Sequence, residues 1–396
     1  MEGVNIIYNK DINQIILPNL KIGKYNSELP IIQGGMGVGI SNGELAGLVA
    51  KNGGIGTITS LFYNTKEFKI LINETLKKTK KLGKELIKNE DQEYTKLFRQ
   101  TNLECITKEI KKAKKISEGK GAIFINIMVA VNNYTNQVKT ACEAGINGIV
   151  SGAGLPLNLP ELTKDYPNVV LIPILSTLKG VKILIRKREE KYKKLPDAII
   201  LEDPSTAGGH LGAKNLDNVD NEDSKLENSV PQVVEFLKSK KLNIPVIAAG
   251  GIVDKKDVLE MLLLGANGVQ IGTRFLVSDK NGANQEFKDA IINASENDIM
   301  TYMSSAGLPA RALKQSKIFT KIDNIEAKTR NCIENCLIHC GYRDGNPNLT
   351  QMCLLKELAK ETQGAEGGGL MFTGTSATRI TKILTVQQIM EIFRIS

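Results

Sequence analysis

Short apolar runs alternate with longer amphipathic stretches along the chain from Leu29 onward. The apolar runs are nearly continuous, which is typical of parallel strands that helices cover on both faces. Eight such runs predict eight strands. They lie at residues 30–33, 56–59, 122–128, 148–151, 169–175, 198–201, 246–249 and 268–271.

Amphipathic stretches with helical spacing separate these runs. Helices are predicted at 42–51, 135–143, 178–192, 231–240 and 255–264. Strands and helices that alternate over about 250 residues predict an α/β fold of the (β/α)8 TIM barrel type. A doubly wound parallel sheet is the alternative architecture.

Two segments exceed what a minimal barrel needs. Residues 66–120, rich in Lys, Glu and Leu, predict a helical insertion between the second and third strands. The residues after the eighth strand include a cysteine cluster and a glycine-rich stretch at 363–374. We therefore expect a barrel domain at 20–310 and a C-terminal cysteine-rich extension at 311–396.

Composition and charge narrow the class of protein. The 396 residues carry 52 Lys and Arg against 43 Asp and Glu, a net charge of +9. No apolar run approaches the roughly 20 residues of a membrane span, and the N-terminal stretch MEGVNIIYNKDINQ lacks the pattern of a secretion signal. We expect a cytoplasmic protein with no membrane span. Aromatic residues make up only 5% and no recognition motif is present, which argues against nucleic-acid binding.

Two glycine-containing segments follow the last two predicted strands. They are PVIAAGGI at 245–252 and GVQIGTRF at 268–275. Glycine lets backbone N–H groups approach an anion closely, and barrels commonly bind phosphate with the loops after strands seven and eight. Either segment alone would more often be a tight turn, but together they predict a phosphate-bearing cofactor.

A third glycine-rich segment, QGGMGVG at 33–39, ends the first predicted strand. It is either a flexible turn or a backbone that lies against a flat ring system. Asn126 lies within the third predicted strand, where an amide side chain is unusual. Its side chain is either paired with buried backbone or bonded to the edge of a cofactor ring.

His210 is the main catalytic candidate among the two histidines of the chain. It lies in EDPSTAGGHLG at 202–212, directly after the sixth predicted strand. Barrel active sites are built at the carboxyl ends of the strands, and an imidazole transfers protons near neutral pH. A satisfied structural histidine is the alternative.

Four of the six cysteines fall within 22 positions. They are Cys332, Cys336, Cys340 and Cys353. In a reducing cytosol such clustering indicates a metal site rather than disulfides. With one histidine nearby, a four-thiolate iron–sulfur cluster is preferred over zinc, which the spacing does not exclude.

These motifs resemble the nitronate monooxygenase family and its relatives, the flavin-dependent enoyl-acyl carrier protein reductases. The matching elements are QGGMGVG, AGGH-x-G, AAGGI, QIGTRF and GLPARA, in that order between Pro30 and Ala312. The resemblance implies an FMN-binding barrel in which His210 is the active-site acid or base. The residues it implies for cofactor binding are Gly35, Met36, Gly37, Asn126, Glu202, Gly208, Gly209, Ala249, Gly250, Gly251, Gln270, Gly272 and Thr273.

The cysteine cluster and the tail GGLMFTG-x-x-A-x-R are similar to a bacterial FabX-type branch, which carries FMN and a 4Fe-4S cluster. That branch implies an acyl-acyl carrier protein dehydrogenase and isomerase of fatty-acid biosynthesis, or an enoyl reductase in the reverse direction. His210 would take a proton from C2 while hydride leaves C3 for the flavin. NAD(P)H or O2 would be the electron partner, and a nitronate monooxygenase is the alternative activity.

The charge suggests a partner for this chemistry. Acyl carrier proteins are acidic, so a basic surface would speed encounter with them. The lysine run Lys111–Lys115 is a candidate for that surface, with ordinary solubility as the alternative. We also expect a homodimer.

Overall fold

The computed structural model describes residues 14–81, 90–316, 318–319, 332, 334–345, 352–363 and 369–394. It describes the side chains of these residues except those between 78 and 92. No helix in this described part of the chain is long and apolar enough to cross a membrane.

Eight parallel strands form a closed barrel, as the apolar runs predict. They are β3 (Ile31–Gln33), β4 (Ile55–Thr59), β5 (Ala122–Asn126), β6 (Gly148–Ser151), β7 (Val170–Leu175), β8 (Ile199–Glu202), β10 (Val246–Ala249) and β11 (Gly268–Ile271). The last strand pairs with the first, with Gln270 opposite Ile32, so the sheet has no edge. The TIM barrel is therefore confirmed and the doubly wound sheet is excluded.

A short antiparallel hairpin closes the amino end of the barrel. It consists of β1 (Leu20–Ile22) and β2 (Tyr25–Ser27). Leu20 and Ile22 are buried against the apolar side chains inside the barrel. With this end plugged, the opposite end is left for a ligand site.

The helices surround the barrel and cover its outer face. They are α1 (Gly43–Lys51), α2 (Lys66–Lys81), α3 (Glu90–Ser117), α4 (Tyr134–Glu143), α5 (Leu159–Leu162), α6 (Leu178–Tyr192), α7 (Leu226–Ser239), α8 (Lys255–Leu263), α9 (Thr273–Leu276), α10 (Gln285–Ile292), α11 (Gly341–Asp344), α12 (Leu354–Gln363) and α13 (Val386–Arg394). The predicted start at Pro231 is wrong, because α7 begins at Leu226 and contains the proline. Proline favours the first turn of a helix, which made it a misleading start signal.

The predicted helical insertion between β4 and β5 is present as α2 and α3. Helix α3 packs closely on α1, since a Cβ added at Gly47 would lie 2.8 Å from the carbonyl oxygen of Ala113. The Lys111–Lys115 run is at the end of α3 near the amino ends of the strands. Its Lys114 Nζ donates to the Gly145 carbonyl, 2.7 Å away in the loop that leads into β6.

The C-terminal extension is tied to the barrel by a second sheet. In this sheet β13 (Pro309–Leu313) lies between β12 (Ile299–Met303) and β9 (Gly209–His210). The boundary expected between 310 and 311 therefore falls inside a strand. Helix α13 returns to the barrel, where Phe393 is buried among side chains of the outer barrel core.

Candidate active site

A cavity of about 940 Å³ opens at the carboxyl ends of the barrel strands. Residues from distant parts of the chain line it, because the loops after parallel strands meet at this end of a barrel. The catalytic candidate His210 and all the residues that the resemblance implies for cofactor binding line it: Gly35, Met36, Gly37, Asn126, Glu202, Gly208, Gly209, Ala249, Gly250, Gly251, Gln270, Gly272 and Thr273. The structure thus brings the predicted catalytic residue and the predicted cofactor residues to one site.

His210 is held by backbone pairing and by one side chain. Strand β9 places it opposite Ala310 of β13. Its Nε2 lies 3.2 Å from the hydroxyl oxygen of Ser304, which is fully buried. The ring of Phe372 packs edge-on, with ring centroids 5.6 Å apart. The imidazole is therefore fixed in orientation, and among the described residues the Ser304 hydroxyl is its hydrogen-bond partner.

Burial lowers the pKa of His210 from its ordinary value of 6.5 to about 4. The imidazole is neutral at physiological pH because the apolar surroundings disfavour the imidazolium form. A neutral imidazole has a free lone pair and can accept a proton from a substrate carbon.

Glu202 is a second titratable group in the cavity, at the end of β8. Burial, with the neighbouring Asp203 carboxylate as a smaller cause, raises its pKa to about 7. A Cβ added at Gly212 would lie 3.5 Å from the Glu202 Oε2 atom, so the chain passes close to this carboxyl group. Glu202 therefore changes charge close to neutral pH, whereas His210 does not.

The glycines of the cavity serve different purposes. A Cβ at Gly35 would overlap the Cβ of Asn126, so this glycine lets the first loop lie directly on β5. Gly250 and Gly251 have φ of +114° and +74°, which side chains disfavour. A Cβ at Gly272, in contrast, would meet nothing within 4 Å. The space beside Gly272 is open and belongs to the cavity.

The family is decided by sequence comparison. A model of the nitronate monooxygenase family matches residues 19–393 of the chain. The chain belongs to the nitronate monooxygenase family.

Curated relatives agree with this assignment. The chain is 30% identical over 288 residues to a probable nitronate monooxygenase of Staphylococcus aureus, which covers 72% of this chain and 75% of the relative. It is 29% identical over 303 residues to a probable nitronate monooxygenase of Staphylococcus haemolyticus, with 74% and 78% covered. The predicted class, an FMN-dependent oxidoreductase, is confirmed at this level.

Solved structures share the fold. FabK from Thermotoga maritima superimposes with a TM-score of 0.63 at 23% identity, over 97% of this chain and 94% of that one. A nitroalkane oxidase from Streptomyces ansochromogenes gives a TM-score of 0.62 at 18% identity, over 93% and 95%. At these identities the likeness is one of fold.

The cavity fits the flavin of this family in two ways. The Gln270 Oε1 atom is buried without a hydrogen-bond partner, which is costly unless a ligand supplies a donor. The open space at Gly272 adjoins the two glycines after β10 and leaves room for a phosphate group. The cavity therefore offers a buried hydrogen-bond acceptor at Gln270 and open space beside glycine loops, and both features fit a flavin with a phosphate group.

The four cysteines of the C-terminal extension form a less well-defined site than the cofactor residues do. Cys336 lines the cavity, and its pKa is raised well above the ordinary value by burial and by the charges of Cys353, Cys340 and Cys332. The four thiols thus lie in one neighbourhood. Within the residues that the structure describes, however, no group of three His, Cys, Asp or Glu side chains is arranged to hold a metal ion.

Several residues of the site were not predicted from the sequence. Ser304 and Phe372 contact His210. Apolar residues of the C-terminal extension line one side of the cavity, namely Leu337, Leu354, Leu355 and Leu358. The amphipathic spacing of Leu354, Leu355 and Leu358 in α12 marks a buried face, but it does not say which part of the molecule that face covers.

Proposed function

We propose that this chain binds FMN in the cavity and oxidises carbon acids, which are compounds with an acidic C–H beside an electron-withdrawing group. The observation that carries the proposal is a neutral, oriented His210 in the same cavity as the glycine cradle. FMN, when bound, supplies the electron acceptor. Gly250, Gly251, Gly272 and Thr273 would hold its phosphate, and Asn126 and Gln270 its ring edge.

His210 would hold and move the proton. Its Nε2 is engaged with the Ser304 hydroxyl, which orients the ring. The other ring nitrogen, Nδ1, would therefore accept the proton of the acidic carbon while Nε2–H donates to that hydroxyl. Because the imidazolium is disfavoured by burial, the proton is readily passed on.

Alkyl nitronates with O2 are the substrates that the curated relatives support, since these are named probable nitronate monooxygenases. A nitronate is the conjugate base of a nitroalkane. His210 would therefore be needed to activate the neutral nitroalkane, whereas the nitronate already lacks that proton.

Acyl thioesters on a carrier protein are a second candidate, favoured by the size and lining of the cavity. A nitronate of a few carbons needs little space beside a flavin. The leucines of the extension line a cavity of about 940 Å³ and would suit an alkyl chain. In this case His210 would take the C2 proton, and FMN, when bound, would supply the acceptor for the hydride of C3.

The positions of the exposed lysines indicate which surface of the barrel an acidic carrier protein would approach. Lys179 and Lys214 line the cavity and are exposed. Lys114, in contrast, lies at the amino end of the barrel. A carrier that delivers a thioester to the cavity would meet Lys179 and Lys214 first, so they replace Lys111–Lys115 as the proposed contact.

One assay separates the two substrates. Purified enzyme would be supplied with propyl-2-nitronate in air, or with a saturated or an enoyl acyl-carrier thioester, with and without NAD(P)H. Oxygen uptake and nitrite release with the nitronate alone support a nitronate monooxygenase. Conversion of a thioester at a higher kcat/KM supports the acyl reading, and failure of both classes contradicts the proposal.

We propose further that the four cysteines bind an iron–sulfur cluster, on the strength of their spacing and of the mutual influence of the thiols on Cys336. No step of the reaction depends on it. Metal analysis of anaerobically purified protein would test it, with Cys336→Ser as the variant and Cys105→Ser as the matched control. Iron in the control and its loss in Cys336→Ser support the cluster; zinc in its place, or no metal, contradicts it.

A further inference from the structure

The C-terminal tail, defined here as residues 371–379, passes over the cofactor loops after it leaves the second sheet. It begins beside β13, where Ala312 and Phe372 form an isolated antiparallel bridge. The Leu313 N–H donates to the Met371 carbonyl at 2.9 Å, and the Thr373 N–H donates to the Arg311 carbonyl at 3.3 Å. Since β13 also pairs with β9, the tail is joined through β13 to the strand that carries His210.

Beyond Phe372 the tail contacts the loops that follow β8 and β11. The Gly374 N–H donates to the Thr273 hydroxyl at 3.0 Å. The Thr375 N–H donates to the Thr206 carbonyl at 3.1 Å. The tail comes so close that a Cβ at Gly208 would overlap the Gly374 nitrogen. Thr373 and Ser376 themselves line the cavity.

Arg379 ends the tail and connects it to the loop after β10. Its guanidinium lies 2.8 Å from Asp254 and 3.0 Å from Asp257, and it donates to the Gly251 carbonyl at 3.3 Å. Asp254 and Asp257 form the capping box at the start of α8. One side chain thus holds both a predicted phosphate-binding glycine and the helix that follows it.

The charged side chains around Gly250 and Gly251 determine how well this end of the cavity can bind an anionic ligand, and Arg379 is one of them. Among the described residues that line the cavity, the cationic side chains are Lys179 and Lys214, which follow β7 and β9 rather than β10 or β11. Asp254 and Asp257 share Arg379 with Gly251, and Asp203 lies beside Gly250, where an added Cβ would be 3.3 Å from the Asp203 Cβ. These carboxylates would repel a phosphate. Arg379 offsets one of these charges, and its guanidinium bonds both carboxylates of the capping box while their other contacts go to backbone N–H groups at the start of α8.

We propose that the tail is a clamp on the phosphate end of the cofactor, with Arg379 as its positioning residue. This inference rests on the proposed FMN site. The clamp makes release of the cofactor depend on the tail, since the loops after β8, β10 and β11 all bond to it.

The test measures FMN release rather than turnover. Arg379→Gln and Arg379→Lys would be compared with Lys256→Gln, a matched control on α8 whose exposed side chain lies 3.9 Å from Glu260. We expect Arg379→Gln to speed FMN dissociation and weaken its Kd by about three- to tenfold. Arg379→Lys should recover part of this loss, and Lys256→Gln should match the wild type.

Flavin fluorescence on dilution gives the rate, and the Tm of the flavin-free protein shows whether the variant is folded. A wild-type dissociation rate in Arg379→Gln would overturn the clamp. So would a fall in Tm that is equal in the flavin-free and loaded protein without a change in Kd. If the wild-type protein itself takes up no FMN, the proposed function fails as well, so the two failures are distinguishable.

Discussion

The cavity has two contrasting sides, the glycine loops of the barrel and the cysteine segment of the extension. On the barrel side the residues marked by sequence motifs come together from positions as far apart as Gly35 and Thr273. On the extension side four cysteines lie within 22 positions, yet of these Cys336 alone lines the cavity. Nearness in the sequence did not bring the thiols into ligand geometry in the described residues.

The difference has a physical origin. Parallel strands in a closed barrel fix where each following loop begins, so a residue at a carboxyl end is placed by the hydrogen-bond register. In the described part of the cysteine segment the regular structure is the four-residue helix α11 and the bridge between Val131 and Leu337, and loop hydrogen bonds such as Asn132 N–H to the Cys336 carbonyl at 2.9 Å hold the rest. Metal sites often depend on the ion itself for their final geometry. The comparison predicts that the barrel side is preformed without its ligand and the extension side is not.

Substitution of the histidines should give the largest expected difference in turnover. His210 lies on the barrel side of the cavity, and His339 lies in the cysteine segment. His210→Asn should lower turnover of a neutral nitroalkane by about 10²- to 10⁴-fold, since it removes the base. His339→Asn changes an exposed side chain in the cysteine segment and should have little effect. Steady-state kinetics with the nitroalkane and with its nitronate would measure this.

Activity of the His210→Asn variant on the nitronate tests the assignment of His210 as the base. The His210→Asn variant should retain much of its activity on the nitronate, which needs no base. Equal losses on both forms would show that His210 does something other than remove this proton.

Gly272→Ala should have the next largest effect, on cofactor binding alone. Its backbone φ of −103° suits alanine, and the added Cβ would enter open space in the cavity. We expect the flavin-free Tm to change by less than about 2 °C, and the Kd for FMN to rise at least about tenfold because the methyl group occupies phosphate space.

Gly56→Ala is the contrasting control for packing. There a Cβ would overlap the backbone of Ala46 on α1. Overpacking of this kind costs about 1–3 kcal/mol, so the Tm should fall with or without FMN. If Gly272→Ala behaved in the same way, the open space would not be a ligand site.

The smallest expected effect concerns pH. His210, with a pKa of about 4, stays neutral down to that pH, so its loss as a base should appear only below about pH 4 rather than near 6.5. Glu202, with a pKa of about 7, gains a negative charge as the pH rises through 7. We expect a two- to threefold change in kcat/KM near pH 7, about the size of one nearby charge change.

The Glu202→Gln variant separates the contribution of Glu202 to the pH dependence from that of His210. It should abolish the change near pH 7 and leave the acid limb in place. A wild-type acid limb near pH 6.5 that persists in Glu202→Gln would mean that His210 is solvated rather than buried in the working enzyme.

Much of the fold and the cofactor side of the cavity follows from local sequence. Apolar runs predict the strands, and glycines directly after those runs predict the loops of the site. Gly250 and Gly272 can therefore be predicted as site residues from local sequence, without knowledge of tertiary contacts. The pairing of His210 with Ser304 is not found in this way, because the two residues are 94 positions apart and are joined by a sheet outside the barrel. The path of the tail to Arg379 depends on the same non-local sheet.

Direct titration with FMN tests the central claim, that this cavity is a preformed flavin site. Flavin-free protein would be titrated with FMN by fluorescence, and the bound cofactor would be extracted and identified by mass spectrometry. The structure predicts saturable binding of one FMN per chain, weakened at least about tenfold in Gly272→Ala and retained in His210→Asn. A wild-type protein that binds no FMN, or a Gly272→Ala variant that binds it as tightly as the wild type, would contradict the claim.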